Sequence, residues 1–235
     1  MPPGTSTIGF LGSLHLLLFG IFVPYAAWRT KNRIQFAMPS FRAHARGTII
    51  NLLVMGGFSV FVARREWIDL FPRRVPSLVS IATGALLLIF MVLAMRPRWR
   101  RAVEKRTPIV QLFMPADARE RVSWFAIATL AGAFEEITWR GVQYTLLLRL
   151  THNAPLAAAI CCVSFALGHA VQGWRSVVAI LGFAASFHLL VWIAGSLYVA
   201  MVAHCLYDAI AGLTYGKLGR ELGYTPLEPA PATQP

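Results

Sequence analysis

Residues 124–141 read WFAIATLAGAFEEITWRG. The stretch is apolar as far as Phe134, and then Glu135, Glu136 and Arg140 follow within one or two helical turns. Each charge at bilayer depth costs roughly 2.5–3.5 kcal/mol on insertion scales. Such residues persist in a spanning segment when they have a job there. The surroundings identify a spanning segment. Apolar runs fall at about residues 8–28, 48–63, 75–95, 122–148, 155–171, 176–193 and 196–214. A spanning helix needs about 20 apolar residues, with a range of about 17–25. Of the 235 residues, 57% are hydrophobic and 14% charged, well below the roughly 25% charged residues of a soluble domain. The sequence therefore predicts an all-α, polytopic transmembrane bundle of about seven helices (six to eight). Gly195 stands between the last two runs as a tight turn or a kink.

The net charge of +12 invites a nucleic-acid reading. The distribution argues against it, because the basic residues sit between the apolar runs. With the N-terminus outside, Arg29, Lys31, Arg33, Arg42 and Arg46, the cluster from Arg96 to Arg121, and Arg175, Lys217 and Arg220 fall inside. Only Arg64, Arg65, Arg73, Arg74 and Arg149 fall outside. The positive-inside rule explains the excess and predicts a cytoplasmic C-terminus in an inner (plasma) membrane. No nucleic-acid partner is expected. The first run has no basic residue ahead of it and is long enough to span, which predicts a retained helix rather than a cleaved leader. Cys161, Cys162 and Cys205 lie in apolar runs without a CxxC pair and are expected to be packing residues. Residues 96–121 mix basic with apolar side chains and are expected to lie along the interface as an amphipathic element. The organisation expected is N-terminal helices with basic loops over 1–120, a catalytic core over 121–216, and a disordered Pro-, Ala- and Thr-rich tail over 217–235.

Helix geometry sorts the charges. Glu136 and Arg140 are spaced i, i+4 and share a face, so they are expected to pair. Glu135 points about 100° away and escapes that pair, leaving it suited to general-base chemistry. Trp139, four residues after Glu135, walls off its side. A structural Glu–Arg bridge would account for Glu136 and Arg140 but leaves Glu135 unexplained. The fifth run ends in FALGH (165–169) and the seventh holds HCLYD (204–208). A lone intramembrane histidine is usually an interhelical hydrogen-bonder. Two of them, with Asp208 one turn after His204, point instead to a site in which Asp208 orients the imidazole or contributes directly. Glu135 lies 14 residues before Arg149, and His169 lies 14 residues after Pro155. Antiparallel helices then put both at about 21 Å from the outer turn, at 1.5 Å per residue. His204 reaches that depth if the turn at Ser196 is recessed. His15, His44, His152 and His188 have no such company and are expected to be structural or interfacial.

Glu135-Glu136-x-x-x-Arg140, Phe165-x-x-x-His169 and His204-x-x-x-Asp208 together resemble the CPBP family of CAAX prenyl endoproteases and Abi-type enzymes, over about residues 120–215. The resemblance implies an intramembrane endopeptidase that hydrolyses a peptide bond of a membrane-anchored protein or peptide. It implies that Glu135 and His169 activate water, that His204 and Asp208 stabilise the oxyanion, and that Glu136 and Arg140 support the site. Asp208 stands where the eukaryotic enzymes have Asn, which can donate a hydrogen bond that an ionised Asp cannot. A metal-free mechanism without cofactor is favoured, with zinc on Glu135, His169 and His204 as the alternative. The competing functions are a proton-coupled transporter using the same groups as a relay and a non-catalytic scaffold of the family. No repeat supports the transporter.

Overall fold

The computed structural model describes residues 7–31, 38–72 and 75–224. Among the described residues seven helices overlap the seven apolar runs, the fifth of them short. They are α1 (Phe10–Thr30), α2 (Phe41–Arg65), α3 (Leu78–Glu104), α4 (118–151), α5 (Ala154–Gly168), α6 (Trp174–Ala194) and α7 (Tyr198–Glu221). No strand occurs among the described residues. The chain is an all-α membrane protein. α1, α2, α3 and α6 are long and apolar enough to cross a bilayer by length and composition. In α3 and α6 only 17% of the most apolar window is buried inside the protein. Side chains such as Phe90, Leu93 and Trp192 therefore face outward, where only lipid makes that exposure favourable.

Local chemistry sets the helix starts. Ser40, Ser77, Asp117 and Asn153 each accept a backbone N–H three residues on, from Ala43, Ser80, Glu120 and Leu156. The Glu120 N–H, with Arg42 at 2.6 Å, holds the Asp117 carboxyl below its usual pKa. This pair ties the start of α2 to the start of α4. At the opposite end Glu66 accepts from the Gly9 N–H at 3.0 Å, and its carbonyl accepts from Arg149 at 3.0 Å. The α6–α7 junction is a turn, not a kink, because Gly195 sits at φ +63°, where a side chain would be strained.

Two expectations change. Residues 96–121 do not lie apart along an interface. α3 continues through Pro97 to Glu104, and Trp99 packs on Tyr207 and Tyr215 of α7. The following 3₁₀ turn Pro108–Phe113 buries Val110 and Leu112. The apolar side expected to meet lipid is taken by the aromatic face of α7. The expected disorder of 217–235 is also met differently, since α7 continues to Glu221. The Pro-rich stretch from Thr225 onward, together with Arg33, Arg73 and Arg74, lies outside the described residues.

Candidate active site

α4 is not one regular helix. It is α-helical over Ala118–Glu135, π-helical over Glu136–Gln143, and α-helical again over Tyr144–Thr151. A π segment inserts one extra residue per turn and is found mostly at functional sites. Here it begins at the second carboxylate. All eight of its residues are buried.

The charges divide as their spacing predicts. Arg140 Nη1 is 3.3 Å from Glu136 Oε1, and both side chains are 0% exposed. The contact is an ion pair without hydrogen-bond alignment, so Arg140 Nε, Nη1 and Nη2 make no hydrogen bond among the described residues. The guanidinium instead lies over the Phe165 ring at 4.4 Å, a cation–π contact that offsets part of its burial. Glu135 keeps 16% of its side-chain surface and Asp208 26%. Those two carboxylates are therefore the ones a substrate can reach.

His204 joins the two sets. Its Nδ1–H donates to Glu136 Oε1 at 2.9 Å. Its Nε2 lies 3.8 Å from Glu135 Oε2 and 3.6 Å from Asp208 Oδ2. The ring stacks on Phe187 at 5.3 Å. The carboxylate hydrogen-bonded to the imidazole is therefore Glu136, not the i+4 neighbour Asp208 that local spacing suggests. Sequence spacing cannot show this, because the partners are 68 residues apart. His169 follows the last residue of α5, and its Nδ1 donates to the Phe165 carbonyl at 2.8 Å. A carbonyl only accepts, so Nδ1 carries a proton, and in the neutral ring Nε2 is the acceptor.

Glu135, His169, His204 and Asp208 all line one cavity of about 320 Å³. Its wall is otherwise mostly apolar and aromatic. It runs toward the bundle end that holds the starts of α2 and α6 and the ends of α3 and α7, lined there by His44, Ser176, Trp99 and Tyr215. The same end carries the exposed Arg100, Arg101, Lys105 and Arg106. His44 was expected to be structural or interfacial, yet it lines this cavity. Only its position in the first turn of α2 could have hinted at that.

The turn before α7 is recessed, as the depth comparison required. α7 starts at Tyr198, less than two turns before His204, whereas α4 runs on from Glu136 to Thr151. Leu197 fills a core with Leu70, Val142 and Leu146, and Tyr198 stacks on Phe71 at 6.0 Å. The segment after α2 thus folds over the recess. α4 and α7 touch directly. The Trp124 indole N–H donates to the Asp208 carbonyl at 2.8 Å, and Gly132 lies against the Cys205 backbone. A Cβ on Gly132 would fall 2.6 Å from the Cys205 nitrogen, so Gly132→Val must push α7 away. We expect a lowered thermal midpoint in detergent, from an overpacking cost of about 1–3 kcal/mol. An unchanged midpoint would mean the two helices are not held this close.

A metal on Glu135, His169 and His204 was the alternative expectation. Among the described residues no group of three or more His, Cys, Asp or Glu side chains is spaced to hold a metal ion.

A bundle with outward apolar faces thus carries a cavity whose wall includes two carboxylates and two imidazoles. Residues 118–210 match the family model of Rce1-like type II CAAX prenyl endopeptidases, so this part of the chain is similar to that family. The match starts at the first residue of α4 and ends within α7, leaving α1–α3 outside it. No curated protein and no solved structure matches the chain.

Proposed function

We propose that this protein is an intramembrane endopeptidase that uses a Glu- and His-activated water to cut a membrane-associated protein or peptide. The observation that carries this is the convergence of Glu135, His169, His204 and Asp208, from α4, the end of α5, and α7, on one apolar cavity. A water between Glu135 and His169 Nε2 gives its proton to the Glu135 carboxylate, and its oxygen attacks the scissile carbonyl carbon. The carbonyl oxygen becomes an oxyanion and accepts the Nε2–H of His204. That ring is a double donor, held by Glu136 at Nδ1 and flanked by Asp208 at Nε2. On collapse the C–N bond breaks, and the leaving nitrogen takes the proton from Glu135. The products are a new amine and a new carboxylic acid, which gives its remaining proton to the amine or to solvent and leaves as the carboxylate.

In this role Asp208 favours the charged ring and does not itself donate to the oxyanion. This accounts for an Asp where the eukaryotic enzymes resemble an Asn. The charge asymmetry supports an orientation in the inner (plasma) membrane with the N-terminus out and the cavity opening to the cytoplasm.

The test is cleavage of bilayer-anchored peptides by the purified protein in proteoliposomes, wild type against Glu135→Ala. Cleavage at the wild-type rate by the variant sinks the proposal. Transport without cleavage would favour the proton-coupled alternative. On the metal-free reading, cleavage should survive exhaustive chelation. Loss restored by added zinc would reverse that expectation.

A further inference from the structure

His15 lies in the first helix, far in sequence from the carboxylates, yet it is 0% exposed. Its Nε2 is 3.0 Å from Ser59 Oγ on α2, and Ser59 Oγ is 2.9 Å from Thr138 Oγ1. Ser59 and Thr138 are also 0% exposed. Three buried polar groups on three helices thus form one chain, and it ends inside the π segment between Glu136 and Arg140. A polar group buried this deeply is costly unless hydrogen-bonded, so the chain resists being pulled apart.

The use made of Thr138 is unusual for this protein. Thr83, Thr129, Thr145 and Thr151 each turn their hydroxyl onto the carbonyl four residues back in their own helix. That local bond is the usual one for a helical threonine. Thr138 reaches across to α2 instead. A second contact from α1 meets the next residue. His15 packs on Phe19 at 4.6 Å, and Phe19 packs edge-on against Trp139 at 5.6 Å. Trp139 in turn packs on Phe165, whose ring lies 4.7 Å from His169. Two consecutive π-helical residues are therefore held by the same turn of α1.

The register of the π segment matters for chemistry. It begins at Glu136, so whatever fixes its extra residue fixes how the chain from Thr138 to Arg140 is set against Glu135 and Glu136. A straight α-helix through the same residues would rotate everything after the insertion by about 100°. We propose that His15 and Ser59 are positioning residues of the candidate active site, acting through Thr138 to hold the π turn that sets Arg140 against Glu136 beside Glu135. Both lie outside the residues that match the family, so the site depends on helices that the family match does not include. The inference rests on the endopeptidase reading for its kinetic consequence but not for its structural one.

The test uses the full chain in proteoliposomes and in detergent, with Thr138→Val, Thr138→Ser, His15→Phe and the His15→Phe/Thr138→Val double variant. Thr138→Val keeps the shape and removes the hydroxyl, whereas Thr138→Ser keeps the hydroxyl. The expected result is a loss of kcat of about 10- to 100-fold in Thr138→Val and His15→Phe with KM within about twofold, the size of a small misplacement of reacting groups. Thr138→Ser should restore kcat. The double variant should be no worse than the poorer single, because both break one chain. Amide hydrogen exchange gives a readout independent of activity. Peptides covering 136–143 should exchange faster in Thr138→Val, while those of α6 stay unchanged. Losses that multiply in the double variant, or unchanged exchange over 136–143, overturn the inference. A wild-type protein that cleaves nothing would overturn the endopeptidase reading alone, and the exchange data would then decide this one.

Discussion

Glu135→Gln is expected to lower kcat by about 10²–10⁴-fold, the range for removing a general base, while the protein folds normally. The substitution keeps the size and hydrogen-bonding reach of the side chain and removes only its ability to take a proton. Folding is spared because Glu135 is the partly open carboxylate of the pair, and its contact with His204 is the longer one at 3.8 Å. His204 remains held through Glu136 at 2.9 Å. The decisive measurement is mass-spectrometric detection of cleaved peptide beside a thermal unfolding curve of the same preparation. Activity within tenfold of wild type would remove Glu135 from the chemistry. Asp208→Asn should cost less, since it leaves the His204 ring bonded to Glu136 and replaces only the neighbour at 3.6 Å.

Much of this was readable before any coordinates, for physical reasons that differ by residue. The all-α bundle follows from its apolar runs, four of which form helices long and apolar enough to span, a signal that needs no tertiary information. The split between Glu135 and Glu136 follows from the angle between neighbours on a helix, which survives the change to π geometry because the pair straddles its start. Other features depend on which surfaces meet. Glu136 bonds His204 only because the α7 start is recessed beneath Leu70 and Phe71, and nothing in the spacing HCLYD announces that. The π segment was also hidden, because an inserted residue is fixed by partners such as Ser59 rather than by local propensity. Residues 96–121 misled for the same reason. Their amphipathic pattern fits an interface and a folded-back turn equally, and Tyr207 and Tyr215 decide between the two.

The largest effect on stability is expected at Glu136. Glu136→Leu removes the only carboxylate in contact with Arg140 among the described residues and leaves a fully buried guanidinium between phenyl rings. Breaking a buried pair from one side typically costs about 3–5 kcal/mol, because the remaining charge is uncompensated. The single variant should therefore accumulate poorly or unfold at a much lower temperature. Removing both charges is a different matter. Replacing a buried ion pair by apolar groups of similar volume is often neutral or stabilising, so Glu136→Leu with Arg140→Met should recover most of the lost thermal midpoint. It should not recover cleavage. Nδ1 of His204 would then have no acceptor, and the imidazole that faces Glu135 and Asp208 would lose its orientation. Thermal unfolding and peptide cleavage measured on the two variants separate the roles. A double variant that is both stable and active would show that Glu136 serves only to neutralise Arg140. A double variant that is stable and inactive makes Glu136 the residue through which the ion pair inside α4 sets the chemistry on α7.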